Sequence, residues 1–228
     1  MVELHAGARL RALRRGSERS PARACVQLDH VSDLELIGAA FELGAGAVMA
    51  DGSRAPFDRN VELVRDAQAL ADRFGGAVEA ELGHVAGGED VAAVTDAGAQ
   101  TDPEEARRFA DATGVACLAI SIGNVHGTYA GAPRLDWDRL AAVESAVGVP
   151  LALHGASGLP DAHVRRAVAG GVRKVNANTE LRAAYLEATR AGLDAALDGG
   201  RVMDLHETQT RAVRDLVASK LDTLSGAE

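Results

Sequence analysis

Six short apolar runs, separated by longer segments of helical pattern, constrain this chain most: ACVQL (24–28), AGAVMA (45–50), AVEAEL (77–82), VACLAISI (115–122), VPLAL (149–153) and VRKVN (172–176). The runs have strand length and the segments between them have helix length. After Asp58, residues Val61, Val64, Ala67, Ala71 and Phe74 share one helical face, and Val164, Ala167, Val168 and Gly171 do so later. TDPEEARRF offers Thr101 or Asp102 as N-cap, with Pro103 in the first turn. Strand and helix alternating in this way predict a parallel sheet with helical crossovers. At 228 residues the chain suits one domain, slightly short of the about 250 residues usual for an eight-fold α/β barrel.

Composition narrows the function classes. Apolar residues make up 47% of the chain, enough for a core and against disorder, and a net charge of −9 argues against non-specific nucleic-acid binding. An anionic substrate therefore requires local positive groups. Cys25 and Cys117 lie inside apolar runs, without metal-ligand or redox spacing, and read as core thiols. No apolar stretch approaches the about 18 residues of a membrane span and the N-terminus carries no signal-peptide core, so a cytoplasmic location is the default.

Where polar residues fall decides between an open sheet and a barrel. Asp29, His30, Asp51, Glu81, His126, His154 and Asn176 all stand at or near the carboxyl ends of the expected strands, where barrel enzymes place their chemistry. A doubly wound sheet gathers its ligands at one switch point instead. His30, His126 and His154 are distant in sequence, yet a barrel brings such strand ends together. Three neutral imidazoles suit a divalent transition metal with a position left open for substrate. His5, His84, His163 and His206 have no such company and read as structural or surface residues.

From Val26 to about Lys220 the chain resembles the class II, metal-dependent ketose-bisphosphate aldolases, especially the tagatose-bisphosphate branch beside fructose-bisphosphate aldolase. The resemblance rests on LDH (28–30), VMADGS (48–53), VEAELG (78–83), GGED (87–90), TDPEEARRF (101–109), GNVHGTY (123–129), LHGASG (153–158) and KVNANTELR (174–182), in that order. It implies a TIM (β/α)8-type barrel and a zinc ion on His30, His126 and His154. Asp29 matches the family's proton donor and acceptor, with a carboxylate that orients a zinc-bound histidine as the alternative. Glu89 matches the acid of a glycine-flanked loop, against a solvated loop charge. Asp51 and Glu81 match positions tied to a second or alternative metal site, against a structural network, and Glu79 shares the face of Glu81 without an assigned role.

The same resemblance puts Gly127, Gly155, Ala156, Ser157, Asn176, Ala177, Asn178 and Thr179 around the dihydroxyacetone phosphate moiety, where glycine-rich turns offer backbone N–H groups near helix N-termini. A monovalent cation in that region is a further expectation. The implied reaction needs no lysine Schiff base, so Lys174 reads as a charge near the phosphate or a structural residue. By the same resemblance, zinc would supply a Lewis acid for the ketose carbonyl, Asp29 would handle the C4 hydroxyl proton, and Glu89 would donate the proton that releases dihydroxyacetone phosphate beside glyceraldehyde 3-phosphate. A homo-oligomer, dimer or tetramer, is the family expectation.

Two departures stand out. Relatives carry a further N-terminal segment that supplies the first two strands of the eight, so the expectation is an N-terminally truncated barrel of residues 1–228 with those strands missing. Met1 to Ala22 then correspond to the second barrel helix, with Leu10 and Leu13 as its apolar remnants. A missed upstream start, a truncated gene or a second chain filling the gap would each explain this. Val31 stands where relatives have glycine, and is expected to restrict the loop beside the metal. The alternative from another class is an inactive paralogue or non-catalytic partner of an aldolase complex. Fructose and tagatose bisphosphates differ at one stereocentre that no spacing in the sequence distinguishes.

Overall fold

The computed structural model describes residues 2–87, 94–95 and 98–226. Helix α1 (Val2–Arg19) leads into β1 (Gln27–Val31), α2 (Leu34–Glu42), β2 (Ala47–Ala50), α3 (Phe57–Phe74) and β3 (Ala77–Leu82). A two-residue strand, β4 (Val94–Thr95), precedes α4 (Pro103–Thr113), β5 (Cys117–Ile120) and the equally short β6 (Thr128–Tyr129). Then come α5 (Trp137–Ala146), β7 (Leu151–Leu153), α6 (Asp161–Ala169), β8 (Val172–Val175) and the long hairpin of α7 (Thr179–Gly199) and α8 (Val202–Ser225).

The local signals explain these bounds. Asp102 caps α4 by accepting from the N–H groups of Glu104 and Glu105, with Pro103 where no donor is needed. Thr101, the other candidate cap, is buried and instead donates to Leu82 O and accepts from Ser121 N, tying β3 to β5. Asp33 caps α2 in the same way as Asp102 caps α4. On α3, Val64, Ala67 and Ala71 are buried as their periodicity predicts, whereas Phe74, the last residue of the helix, stacks one face on Phe41 and stays 43% exposed. Leu10 packs against the core, but Leu13 is 62% exposed and contributes no apolar anchor.

The principal sheet is parallel, in the order β1-β2-β3-β5-β7-β8. This is a (β/α) barrel lacking two strands: consecutive strands are neighbours, and β1 and β8 remain edges among the described residues. A flat six-stranded sheet would set its edges roughly 24 Å apart at the usual strand spacing. Here Asp29 on β1 and Asn176 just beyond β8 make a 3.2 Å hydrogen bond, so the sheet is strongly curled. The first strand runs three residues later than the apolar run suggests, through Asp29 and His30 themselves.

Strand alternation divides the sheet into two faces. Val48, Ala50, Val78, Ala80, Leu118, Ile120, Leu151, Leu153 and Val172 point outward to the helices and form the main core. Val31 belongs to this core. The concave face holds a small apolar floor of Met49, Ala119 and Ala152 with Cys117 beside it; above it the side chains are polar. A cavity of about 660 Å³ opens at the seam between β1 and β8, lined by Cys25, Gln27, Asp29, Lys174 and Asn176 among others. Cys25 is therefore exposed rather than a core thiol, and Cys117 is only half-buried.

Candidate active site

His30, His126 and His154 converge: one ring nitrogen from each lies within 4.8 Å of the others. His30 ends β1 at a strand irregularity and is the one non-glycine residue with positive φ (44°) among those described. A left-handed non-glycine residue costs on the order of 1–3 kcal/mol, and here it turns the imidazole inward. His154 follows β7, and the buried Asn124 holds its carbonyl at 3.0 Å while bonding Ile120 and Ile122. His126 lies between two glycines in space. A Cβ on Gly155 would sit 2.0 Å from Val125 O, and one on Gly87 would sit 2.4 Å from His126 O, so both positions need glycine for the close approach.

Each of two imidazoles is held from behind by a carboxylate. Asp51 Oδ2 is 2.7 Å from His30 Nδ1, and Glu79 Oε1 is 2.8 Å from His154 Nε2. With those outer nitrogens donating, His30 Nε2 and His154 Nδ1 face one another at 3.0 Å. Two lone pairs so close are unfavourable unless a proton or a cation lies between them. Two nitrogens on a tetrahedral zinc would stand roughly 3.3 Å apart, close to the observed spacing.

The charges tell the same story. Burial alone would lower the His30 pKa, but the hydrogen bond to Asp51 and the charges of Asp29, Asp51 and Glu81 outweigh it and raise it to about 9. Burial pushes Asp51 up, yet its bonds to His30 and Ser53 leave it below the usual carboxylate range. Burial, reinforced by the charge of Asp51, raises Glu81 to about 7. Glu79 is opposed by burial as well, but His154 and Lys174 bring it down to about 2. His154 is lowered by burial, against the pull of Glu79. Glu81 Oε2 is buried without a hydrogen-bond partner, while Oε1 accepts from Val85 N. An orphaned carboxylate oxygen beside His30 and Asp51 fits a divalent ion, and these three residues form a second set of possible ligands.

The expected residues are partly gathered and partly divided. Asp51, Glu81, His30 and His126 line one cavity of about 210 Å³ with Arg54 and His84. His84, which reads from sequence as a structural or surface residue, has its Nδ1 3.8 Å from Glu81 Oε1, just after the left-handed Gly83. Asp29 lines the seam cavity with Asn176, Ala177 and Asn178. Gly127, Ser157 and Thr179 line a neighbouring cavity of about 320 Å³, and Gly155 and Ala156 line neither. Ser157 Oγ accepts from the N–H groups of Asn178 and Glu180 at the start of α7. Glu89 lies outside the described residues, as does the side chain of His5.

From sequence Glu79 has no assigned role, and Lys174 reads as a charge near the phosphate or a structural residue. Lys174 Nζ pairs with Glu79 Oε2 at 2.8 Å, inside the curl of the sheet, which fits the second of these. Gln27, which carries no motif, bridges Glu79 and Asp29. Period-two alternation from Asp29 and Glu81 was the available signal, since it puts Gln27 and Glu79 on the same concave face.

The chain is similar to known proteins in sequence and in fold. A family model described as fructose-bisphosphate aldolase class-II matches residues 4–228. The chain is 41% identical over 193 residues to the D-tagatose-1,6-bisphosphate aldolase subunit GatY of Klebsiella oxytoca, covering 84% of this chain and 68% of that one. Among solved structures it is similar to a putative fructose-1,6-bisphosphate aldolase from Coccidioides immitis, with TM-score 0.89 and 31% identity over 98% of this chain and 79% of that one. It is also similar to the YdjI aldolase of Escherichia coli K12, with TM-score 0.82 and 29% identity over 96% and 75% of the two chains.

Proposed function

The chain belongs to the class II fructose-bisphosphate aldolase family, and on that premise we propose that it is a zinc-dependent aldolase acting on tagatose or fructose 1,6-bisphosphate. The observation that carries this reading is the approach of His30 Nε2 and His154 Nδ1 to 3.0 Å, each imidazole backed by a carboxylate, with His126 beside them. His30, His126 and His154 would hold the ion, and Asp51 and Glu81 are the residues for a second or alternative site. When bound, a divalent ion supplies a Lewis acid for the ketose carbonyl. Zinc suits a three-imidazole set with an open position.

Asp29 takes the C4 hydroxyl proton during cleavage and returns it in condensation. Its two oxygens are steadied by the amides of Gln27 and Asn176, which leaves it at the wall of the seam cavity next to His30. Gly127, Gly155, Ala156, Ser157, Asn176, Ala177, Asn178 and Thr179 surround the phosphate end of the substrate, and the N-terminus of α7 favours an anion there. A monovalent cation belongs to the same region. The role of Glu89 as the second acid rests on the GGED motif alone.

No helix among the described residues is long and apolar enough to cross a membrane, and a cytoplasmic site of action follows the family. Exposed Leu186, Leu197, Met203 and Leu221 on α7 and α8 supply apolar surface for a homo-oligomer, dimer or tetramer. The test is release of dihydroxyacetone phosphate from each bisphosphate by zinc-loaded protein. Release from one or both is expected, and the ratio of the two rates assigns the sugar. Release from neither sinks the proposal.

A further inference from the structure

Glu79 is 3% exposed and holds three partners at once. Its Oε1 accepts from His154 Nε2 at 2.8 Å, and its Oε2 accepts from Gln27 Nε2 at 2.9 Å and Lys174 Nζ at 2.8 Å. Lys174 also donates to Asn176 Oδ1 at 2.6 Å, Asn176 donates to Asp29 Oδ2, and Gln27 donates to Asp29 Oδ1. These contacts close a ring of five side chains drawn from β1, β3, β8 and the residue just beyond β8. The edge strands thus fix the position of a carboxylate on the strand between them.

We infer that Glu79, clamped by Lys174 and Gln27, is a positioning residue that sets the ring orientation and tautomer of His154 for metal binding. An ionised carboxylate can only accept, so the imidazole proton is drawn to Nε2 and Nδ1 is turned toward His30 Nε2. An ion pair between the buried Glu79 and the partly exposed Lys174 is a poor source of stability, because desolvating the carboxylate offsets much of the attraction. What this pair does is orient a ring. Carboxylates that hold the far nitrogen of a ligating histidine fix its rotamer and raise its basicity. The inference rests on the proposed reading of His154 as a metal ligand.

The experiment compares Glu79→Gln, Glu79→Leu and the double variant Glu79→Leu/Lys174→Met with the unsubstituted chain. Zinc affinity is measured by chelator competition, and the visible spectrum of cobalt-loaded protein reports ligand geometry. The leucine variants should bind zinc about 10–100-fold more weakly with an altered cobalt spectrum. Glu79→Gln, which keeps an acceptor oxygen, should recover part of that loss. The double variant buries no lone charge and keeps the test readable should Glu79→Leu not fold. Unchanged affinity and spectrum in the leucine variants overturn the inference. Failure of the unsubstituted chain to take up metal overturns it together with the proposed metal-dependent reaction, so the two failures are told apart.

Discussion

Asp51 Oδ2, just past the end of β2, lies 2.7 Å from Nδ1 of His30 on the neighbouring β1, and His30 takes a left-handed backbone there. The pair aims His30 Nε2 at His154 Nδ1. Asp51→Asn keeps the size of the side chain and removes its charge, so zinc affinity should fall about 10–100-fold while the fold persists. Chelator competition measures it, and unchanged affinity would mean that Asp51 does not set the ring.

Metal removal should act on stability as well as on activity. A ligand that binds only the native state stabilises it by about 2.7 kcal/mol when present at 100 times its dissociation constant. Stripping with a chelator should therefore lower the melting temperature and stop cleavage, and zinc should restore both. Full activity after verified removal of metal contradicts the proposed reaction.

Asp29→Ala separates proton transfer from site assembly. Loss of a general acid–base group lowers turnover about 10²–10⁴-fold. Bound zinc should stay near the parent value, because Asp29 accepts from Gln27 and Asn176 and not from a histidine. An equal loss of zinc would make Asp29 an organiser of the site.

Gly155→Ala should be strongly destabilising. The added Cβ would meet Val125 O at 2.0 Å, and φ is 64°. Strain of this kind costs about 1–3 kcal/mol before the collision is counted. Urea unfolding should show a loss beyond about 2 kcal/mol, and a change under about 0.5 kcal/mol would mean that this turn is not so tightly packed.

The two thiols should differ in reactivity. Burial, reinforced by the charge of Glu79, pushes the Cys117 pKa up to about 12. At pH 8 its thiolate fraction is then about one part in 10⁴, and it rises only as the pH approaches 12. Cys25 is exposed at the seam. A thiol reagent at pH 8 should modify Cys25 alone, as peptide mass mapping would show; equal labelling would contradict the burial of Cys117.

Much of the architecture was legible because parallel strands packed under helices read as apolar runs, and each of the six runs overlaps one strand of the principal sheet. The three histidines could be found because each follows such a run, where barrel topology gathers strand ends. Glu79, Lys174 and Gln27 were harder to read. Alternation gives the face of a residue, but a partner on another strand depends on curl and register, which no local pattern encodes. The nearness of His84 to Glu81 is hidden for a similar reason: Gly83 takes φ 80° just after β3, a turn that no local pattern encodes.

By itself the sequence determined the order and kind of the elements, the face of each strand residue and the identity of the metal-binding imidazole candidates, since these follow from period, capping and side-chain chemistry. Tertiary structure alone decided which carboxylate backs which histidine, that Lys174 neutralises Glu79 and that Cys25 faces the seam. Those outcomes depend on how far the six strands curl, and curl is a property of the packed sheet rather than of any one segment.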